Sequence, residues 1–144
     1  MNWTPTDYLF AAALVGIVAL VFAAVARRST SGTYRAAAAL ALLTAFMLVW
    51  ANAAVGIIGS EDNPANRLYH ALLAVGIVAA ALVRGRPRPM ARVMAAVAAG
   101  LLVIDGIAIV GGLGWAGPLT WLFPALWLLA AWLFRRAAGA SVPP

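Results

Sequence analysis

Three polar side chains stand within otherwise apolar stretches of this sequence, and their types suit proton transfer or solute binding. They are Asn52, His70 and Asp105. A charged carboxyl group is costly in hydrocarbon, so we expect Asp105 to be neutral or paired. His70 is its natural partner, and such a pair could relay a proton or bind a polar headgroup or small solute. The interpretation we favour is that the three residues form hydrogen bonds between helices.

A second polar group occupies the stretch GSEDNPANRLYH, which runs from Gly59 to His70. Its candidate ligand-binding residues are Glu61, Asp62, Asn63 and Asn66. Most of this stretch also has a mechanical explanation. A residue before proline is pushed out of the helical region, so we expect Asn63 to cap a helix that begins at Pro64. The acids complement the positive end of that helix, and the 59–60 pair closes the preceding one. We favour this capping role over binding.

The elements that must position these residues follow from composition. The chain has 144 residues, of which 65% are hydrophobic and only 10% charged, whereas soluble domains carry about 25% charged residues. Crossing about 30 Å of hydrocarbon takes roughly 20 apolar residues in a helix. Five stretches qualify or nearly qualify, at 8–26, 36–58, 64–83, 90–110 and 119–134. The last is short, but helix tilt or local thinning of the bilayer can absorb the mismatch. An open strand would leave backbone groups unpaired in lipid, so the sequence predicts an all-α bundle of five transmembrane helices in a single domain, 1–144.

The arginines orient this bundle. All ten basic residues are arginine, and nine of them lie at 27–35, 84–92 and 135–136, after the first, third and fifth stretches. Because positive charge marks the cytoplasmic side, we expect the N-terminus outside and the C-terminus in the cytoplasm. A signal peptide begins with a basic segment and has a short apolar run, whereas the first stretch here is long and follows an acidic residue. We therefore expect a retained anchor, not a cleaved signal peptide. A four-helix alternative would make 111–134 an outside loop or a re-entrant segment. We disfavour it because it would place Arg135 and Arg136 outside.

This topology places the three buried polar side chains at one depth. Each lies about six residues from the outer end of its predicted helix, or roughly 9 Å below the outer boundary. An amide, an imidazole and a carboxyl group would then share one level, in a layer that opens outward.

Several classes of function are disfavoured. The chain has no cysteine and one histidine, a poor set of ligands for a metal or haem, so we expect no cofactor. It contains no phosphate-binding loop, no Gly-x-Ser-x-Gly elbow and no His-Glu-x-x-His motif. The net charge of +6 is explained by membrane orientation and by contact with anionic headgroups, so we expect no nucleic acid partner.

The stretch LVWANAAVGIIGSEDNPANRLY (48–69), with MNWTPTDY at the start and AAWLFRRAA near the end, carries a resemblance. It resembles a family of small bacterial multi-pass membrane proteins of unknown function, and AVGIIGSEDNPAN (54–66) is the most specific part. The resemblance implies a multi-pass protein of the bacterial inner membrane and brings no activity, substrate or cofactor. In that family an apolar residue often stands at the positions of His70 and Asp105. The resemblance therefore favours Asn52 and the loop as candidates for a shared functional role.

The functional expectation is a non-enzymatic accessory or assembly partner in the inner membrane. Pairs of small residues spaced four apart, such as Gly76 and Ala80, let membrane helices pack closely. They suit association with a second copy or with a larger membrane complex, besides the lipid bilayer itself. The alternative is a small transporter or channel that uses the outward polar layer. A lipid-modifying enzyme ranks third, because no nucleophile with a paired base is visible.

Overall fold

The computed structural model describes residues 4–60, 62–114 and 120–140. Over these residues the chain forms five α-helices, short 3-10 segments at 64–66 and 120–121, and no strand. The helices are α1 (Pro5–Arg28), α2 (Gly32–Val55), α3 (Arg67–Leu82), α4 (Pro87–Val110) and α5 (Leu122–Gly139), and the 3-10 turn Pro64–Asn66 leads directly into α3. The all-α prediction is confirmed.

Four of the helices are long and apolar enough to cross a membrane. They are Pro5–Arg27, Gly32–Val55, Pro64–Leu82 and Pro87–Val110, with mean hydropathies of 2.8, 2.0, 1.4 and 2.5. The prediction of a membrane protein is thereby supported on length and composition. Among the described residues α5 falls short of the same criteria, since its 18 residues include Arg135 and Arg136.

Local chemistry explains where the helices begin. Thr4 caps α1 by accepting a hydrogen bond from the Asp7 amide, while the Asp7 carboxylate accepts one from the Thr4 amide at 2.8 Å. This reciprocal arrangement satisfies two backbone donors that the first turn leaves free. The Ser31 hydroxyl caps α2 by accepting one hydrogen bond, from the Tyr34 amide at 3.3 Å. Pro87 opens α4, a position where its missing N–H costs nothing.

The fifth helix lies at the centre of the bundle. α5 packs between α2 and α4, α3 packs on α4, and α1 packs mainly on α2. Ala130 and Phe134 of α5 are completely buried. α1 contributes no described residue to the buried core. α1 therefore forms the periphery of the bundle, and α5 joins α2 to α4.

The helix boundaries depart from the predicted ones at several ends. The predicted helix 36–58 begins at Gly32 and ends at Val55, so the expectation that 59–60 closes it is wrong. Gly56, with φ +67°, ends α2, and residues 56–60 form a bend. The predicted helix 119–134 begins at Leu122 and continues past the arginines to Gly139.

Contacts define two ends of the bundle. At one, which we call the arginine end, the Tyr34 hydroxyl donates to the Gly85 carbonyl at 2.5 Å, and the Tyr34 and Phe134 rings lie 5.1 Å apart, edge to face. At the other, the loop end, the Asn63 side chain donates to the Leu113 carbonyl at 2.9 Å. The start of α2, the α3–α4 turn and the last part of α5 thus meet at the arginine end.

Candidate functional site

The carboxyl group of Asp105 is bound to a neighbouring helix by a tyrosine. Tyr69 on α3 donates its hydroxyl to Asp105 Oδ1 on α4 at 2.5 Å. Both residues are buried, with 2% and 5% of their surfaces exposed. Close approach of the helices allows this contact: a Cβ added at Gly76 would lie 2.9 Å from a Val97 methyl carbon. The bond therefore joins α3 to α4 inside the bundle.

His70 does not take the place expected of it beside Asp105. It is exposed, and it forms no hydrogen bond or ion pair with any described residue. Successive residues on a helix are separated by about 100°, so the turn that buries Tyr69 directs its neighbour outward. The anticipated His70–Asp105 pair is replaced by Tyr69–Asp105.

Tyr69 is thus the residue that sequence reasoning missed. Asn66, Tyr69 and Leu73 are all buried and lie three or four residues apart, the spacing of one helix face. That periodicity pointed to Tyr69, whereas attention to residue type pointed to His70.

Asn52 on α2 is buried, with 4% of its surface exposed. Neither its amide oxygen nor its amide nitrogen has a hydrogen-bond partner in the described part of the chain. Asn52 follows Tyr34, near the start of α2, by the same number of residues as Asp105 follows Pro87, at the start of α4. Each separation corresponds to about 27 Å along the helix. Asn52 and Asp105 are therefore at similar heights above the arginine end, on helices that both run toward the loop end. The amide is the unsatisfied member of the predicted trio.

Asn66 fastens the connection between α2 and α3. Its Oδ1 accepts hydrogen bonds from the amides of Ile57 at 3.0 Å and Ile58 at 2.8 Å, and its Nδ2 donates to the Ser60 carbonyl at 2.7 Å. Asn66 is only 5% exposed. The side chain replaces the helical partners that these amides lose where α2 ends. Its polar atoms are fully used in holding the backbone.

Asn63 has a similar role at the loop end. Its Oδ1 accepts from the Ala65 amide at 3.0 Å, and its Nδ2 reaches Leu113 after α4. The predicted cap at Asn63 and helix start at Pro64 are confirmed, with the first turn in 3-10 form. Close to this bond the two loops touch, since a Cβ added at Gly114 would lie 2.8 Å from the Gly59 nitrogen.

The described acid of the loop, Asp62, is not brought to a site. Asp62 is exposed and forms no ion pair or hydrogen bond with a described residue, and Glu61 lies outside the described residues. Within residues 4–60, 62–114 and 120–140, no three histidine, cysteine or acidic side chains are grouped so as to hold a metal ion.

Comparison with known proteins adds no relative: no family model, no curated protein and no solved structure matches this chain. The resemblance carried by AVGIIGSEDNPAN stays a prediction.

Proposed function

We propose that the chain is a five-span protein of the bacterial inner membrane, with its N-terminus outside and its C-terminus in the cytoplasm. The contact between Tyr34 and Phe134 supports the fifth crossing, because it brings the last part of α5 back to the arginine end. Exposed arginines follow at 135–136, on the same end as Arg35 and Arg84. Nine of the ten arginines then share one side of the membrane, as the positive-inside rule requires.

A reporter fused after Arg136 tests this topology. We expect a reporter that is active only in the cytoplasm to be active there. A signal from a reporter that works only outside the cytoplasm would overturn the five-span count.

We propose that the protein is a non-enzymatic accessory or assembly partner in that membrane. The observation that carries this proposal is that three of the polar side chains named above, Asp105, Asn63 and Asn66, are bonded within the fold. Asp105 is bound by Tyr69, and Asn63 and Asn66 are bound to backbone. A catalytic site would need a nucleophile and a base free to reach a substrate, and these side chains are engaged with one another or with the main chain.

The outer face of α4 supports association with a second copy or a larger complex. A groove of about 500 Å³ is lined there by Val103, Gly106, Ile107 and Val110, together with Gly111. A Cβ added at Gly106 would meet no atom within 4 Å. A membrane helix can approach closely over such a small residue.

Purification in a mild detergent, followed by crosslinking, tests the assembly proposal. We expect the chain to be recovered with itself or with other subunits, and Gly106→Leu to release them by filling the groove. Gly16→Leu is a matched control, because a Cβ at Gly16 on α1 also meets no atom within 4 Å. A clean monomer for the unsubstituted chain would contradict the proposal.

A small transporter or channel is the second candidate, and one observation favours it. Both polar atoms of the Asn52 amide are buried without a partner, as expected of a group whose ligand is a solute. Solute- or proton-linked flux in proteoliposomes would then fall in Asn52→Leu and Asp105→Asn. The exposed His70 supplies the control, since His70→Phe should leave the flux unchanged. Equal flux in all three variants would exclude a role for this layer.

A further inference from the structure

A groove of about 320 Å³ lies between α1 and α2. Its walls are formed by apolar side chains alone, among them Val15, Val18 and Phe22 from α1 and Ala39, Leu43 and Phe46 from α2. The two helices do contact each other, but α1 is so exposed that none of its described side chains is buried. The groove therefore faces the surroundings of the bundle, and an alkyl chain matches its chemistry.

The groove ends at a positive charge. Arg35 lies one helical turn before Ala39, and thus on the stripe of α2 that lines the groove. Its Nε donates a hydrogen bond to the Ser29 carbonyl at 2.8 Å, across the turn between α1 and α2. The side chain is exposed and forms no ion pair with a described residue. The bond through Nε steadies the guanidinium and leaves its two terminal amino groups for another acceptor.

The spacing of charge and groove matches a phospholipid. From Arg35 to Phe46 is about 16 Å along α2, close to the roughly 15 Å that one leaflet contributes to the hydrocarbon core. A guanidinium binds phosphate oxygens through paired hydrogen bonds. An acyl chain alone would give a phospholipid no preference for this groove over bulk lipid, so selectivity must come from the headgroup.

We propose that Arg35 and the α1–α2 groove form a binding site for an anionic phospholipid. One acyl chain lies between the helices, and the phosphate binds the Arg35 guanidinium. Arg27, which is also exposed at this end of α1, favours a headgroup with net negative charge over a zwitterionic one. The site depends on neither the direction of insertion nor the assembly role proposed above.

Thermal unfolding of the full-length chain in a mild detergent tests the headgroup. Phosphatidylglycerol and phosphatidylcholine with identical acyl chains are titrated separately, and bound lipid is counted by native mass spectrometry. We expect phosphatidylglycerol to raise the Tm and phosphatidylcholine to do so only weakly. Arg35→Gln should weaken the apparent affinity for phosphatidylglycerol roughly tenfold, the loss expected when a charge-assisted hydrogen bond is removed.

Matched variants separate the site from general charge. Arg88→Gln removes the same charge at the same end and should bind phosphatidylglycerol as the unsubstituted chain does. Arg35→Lys keeps the charge without the paired geometry and should retain part of the affinity. Ala39→Phe fills the groove and should abolish the added stability even though Arg35 is intact.

Three results would overturn the proposal. Equal stabilisation by phosphatidylcholine would exclude a role for the headgroup charge in binding. Unchanged affinity in Arg35→Gln would exclude a role for the arginine. Equal stabilisation by inorganic phosphate would show that a free anion, not a lipid, occupies the site. If Arg35→Gln lowers the Tm without lipid, the count of bound lipid on the folded fraction decides between these outcomes.

Discussion

Replacing Tyr69 by phenylalanine removes one oxygen atom and the bond that joins α3 to α4. The hydroxyl is the described partner of Asp105 Oδ1, and both side chains are at least nine-tenths buried. The ring stays, so the cavity left behind is small. The free energy of unfolding should therefore change mainly through the hydrogen bond and the carboxyl group that loses it.

Two kinds of measurement bound the loss of unfolding free energy expected for Tyr69→Phe. Leaving a buried polar group without its partner costs about 1–3 kcal/mol in proteins generally. Measured hydrogen bonds between membrane helices average about 0.6 kcal/mol and reach about 1.7. Because the Tyr69–Asp105 contact is almost fully enclosed, we expect Tyr69→Phe to lower the free energy of unfolding by about 1–2 kcal/mol. In a chain of this size that corresponds to a fall in Tm of several degrees.

A double-mutant cycle isolates the bond from other effects. Reversible unfolding in a mild detergent is followed by circular dichroism for Tyr69→Phe, Asp105→Leu and the double variant. Once Asp105 is replaced, Tyr69→Phe should cost much less, with a coupling energy of about 1 kcal/mol. His70→Phe serves as the control on the same turn and should be nearly neutral. A coupling energy near zero, or a His70→Phe variant as unstable as Tyr69→Phe, would refute the assignment of Tyr69 as the partner of Asp105.

Four further substitutions, one of them a control, probe the loop end and the unpartnered amide. Asn66→Leu should lower the free energy of unfolding by about 2–4 kcal/mol because two buried amides lose their acceptor, and hydrogen exchange at 56–60 should rise. Equal protection there would contradict the fastening role. Asn52→Leu should raise the Tm, since it removes a buried amide without a partner. A lower Tm would instead indicate a bound polar molecule. Gly114→Ala should cost the strain of its φ of +117° and also the contact between the loops, whereas Gly112→Ala, where a Cβ meets no atom within 4 Å, should cost only the strain of its φ of +63°. Similar Tm values for the two glycine variants would argue against tight contact.

The sequence by itself determined the properties that depend on local chemistry and on summed hydropathy. Apolar stretches of sufficient length predicted the helices, because lipid leaves the backbone no other way to satisfy its hydrogen bonds. The dipeptide Asn63-Pro64 predicted a helix start, since proline restricts the residue before it and suits the first turn. The arginine pattern predicted an orientation that awaits the reporter.

Tertiary structure decided which of two adjacent side chains faces inward, and where α2 ends. Tyr69 and His70 are both plausible partners by type, but a rotation of about 100° separates them, and packing against α4 buries the tyrosine. α2 stops at Val55 because a side chain from beyond the loop, Asn66, supplies acceptors to the Ile57 and Ile58 amides. α5 is central although its 18 residues include two arginines, because its position depends on contacts with α2 and α4. Each of these features depends on contacts between elements, and hydropathy summed along a stretch does not register such contacts.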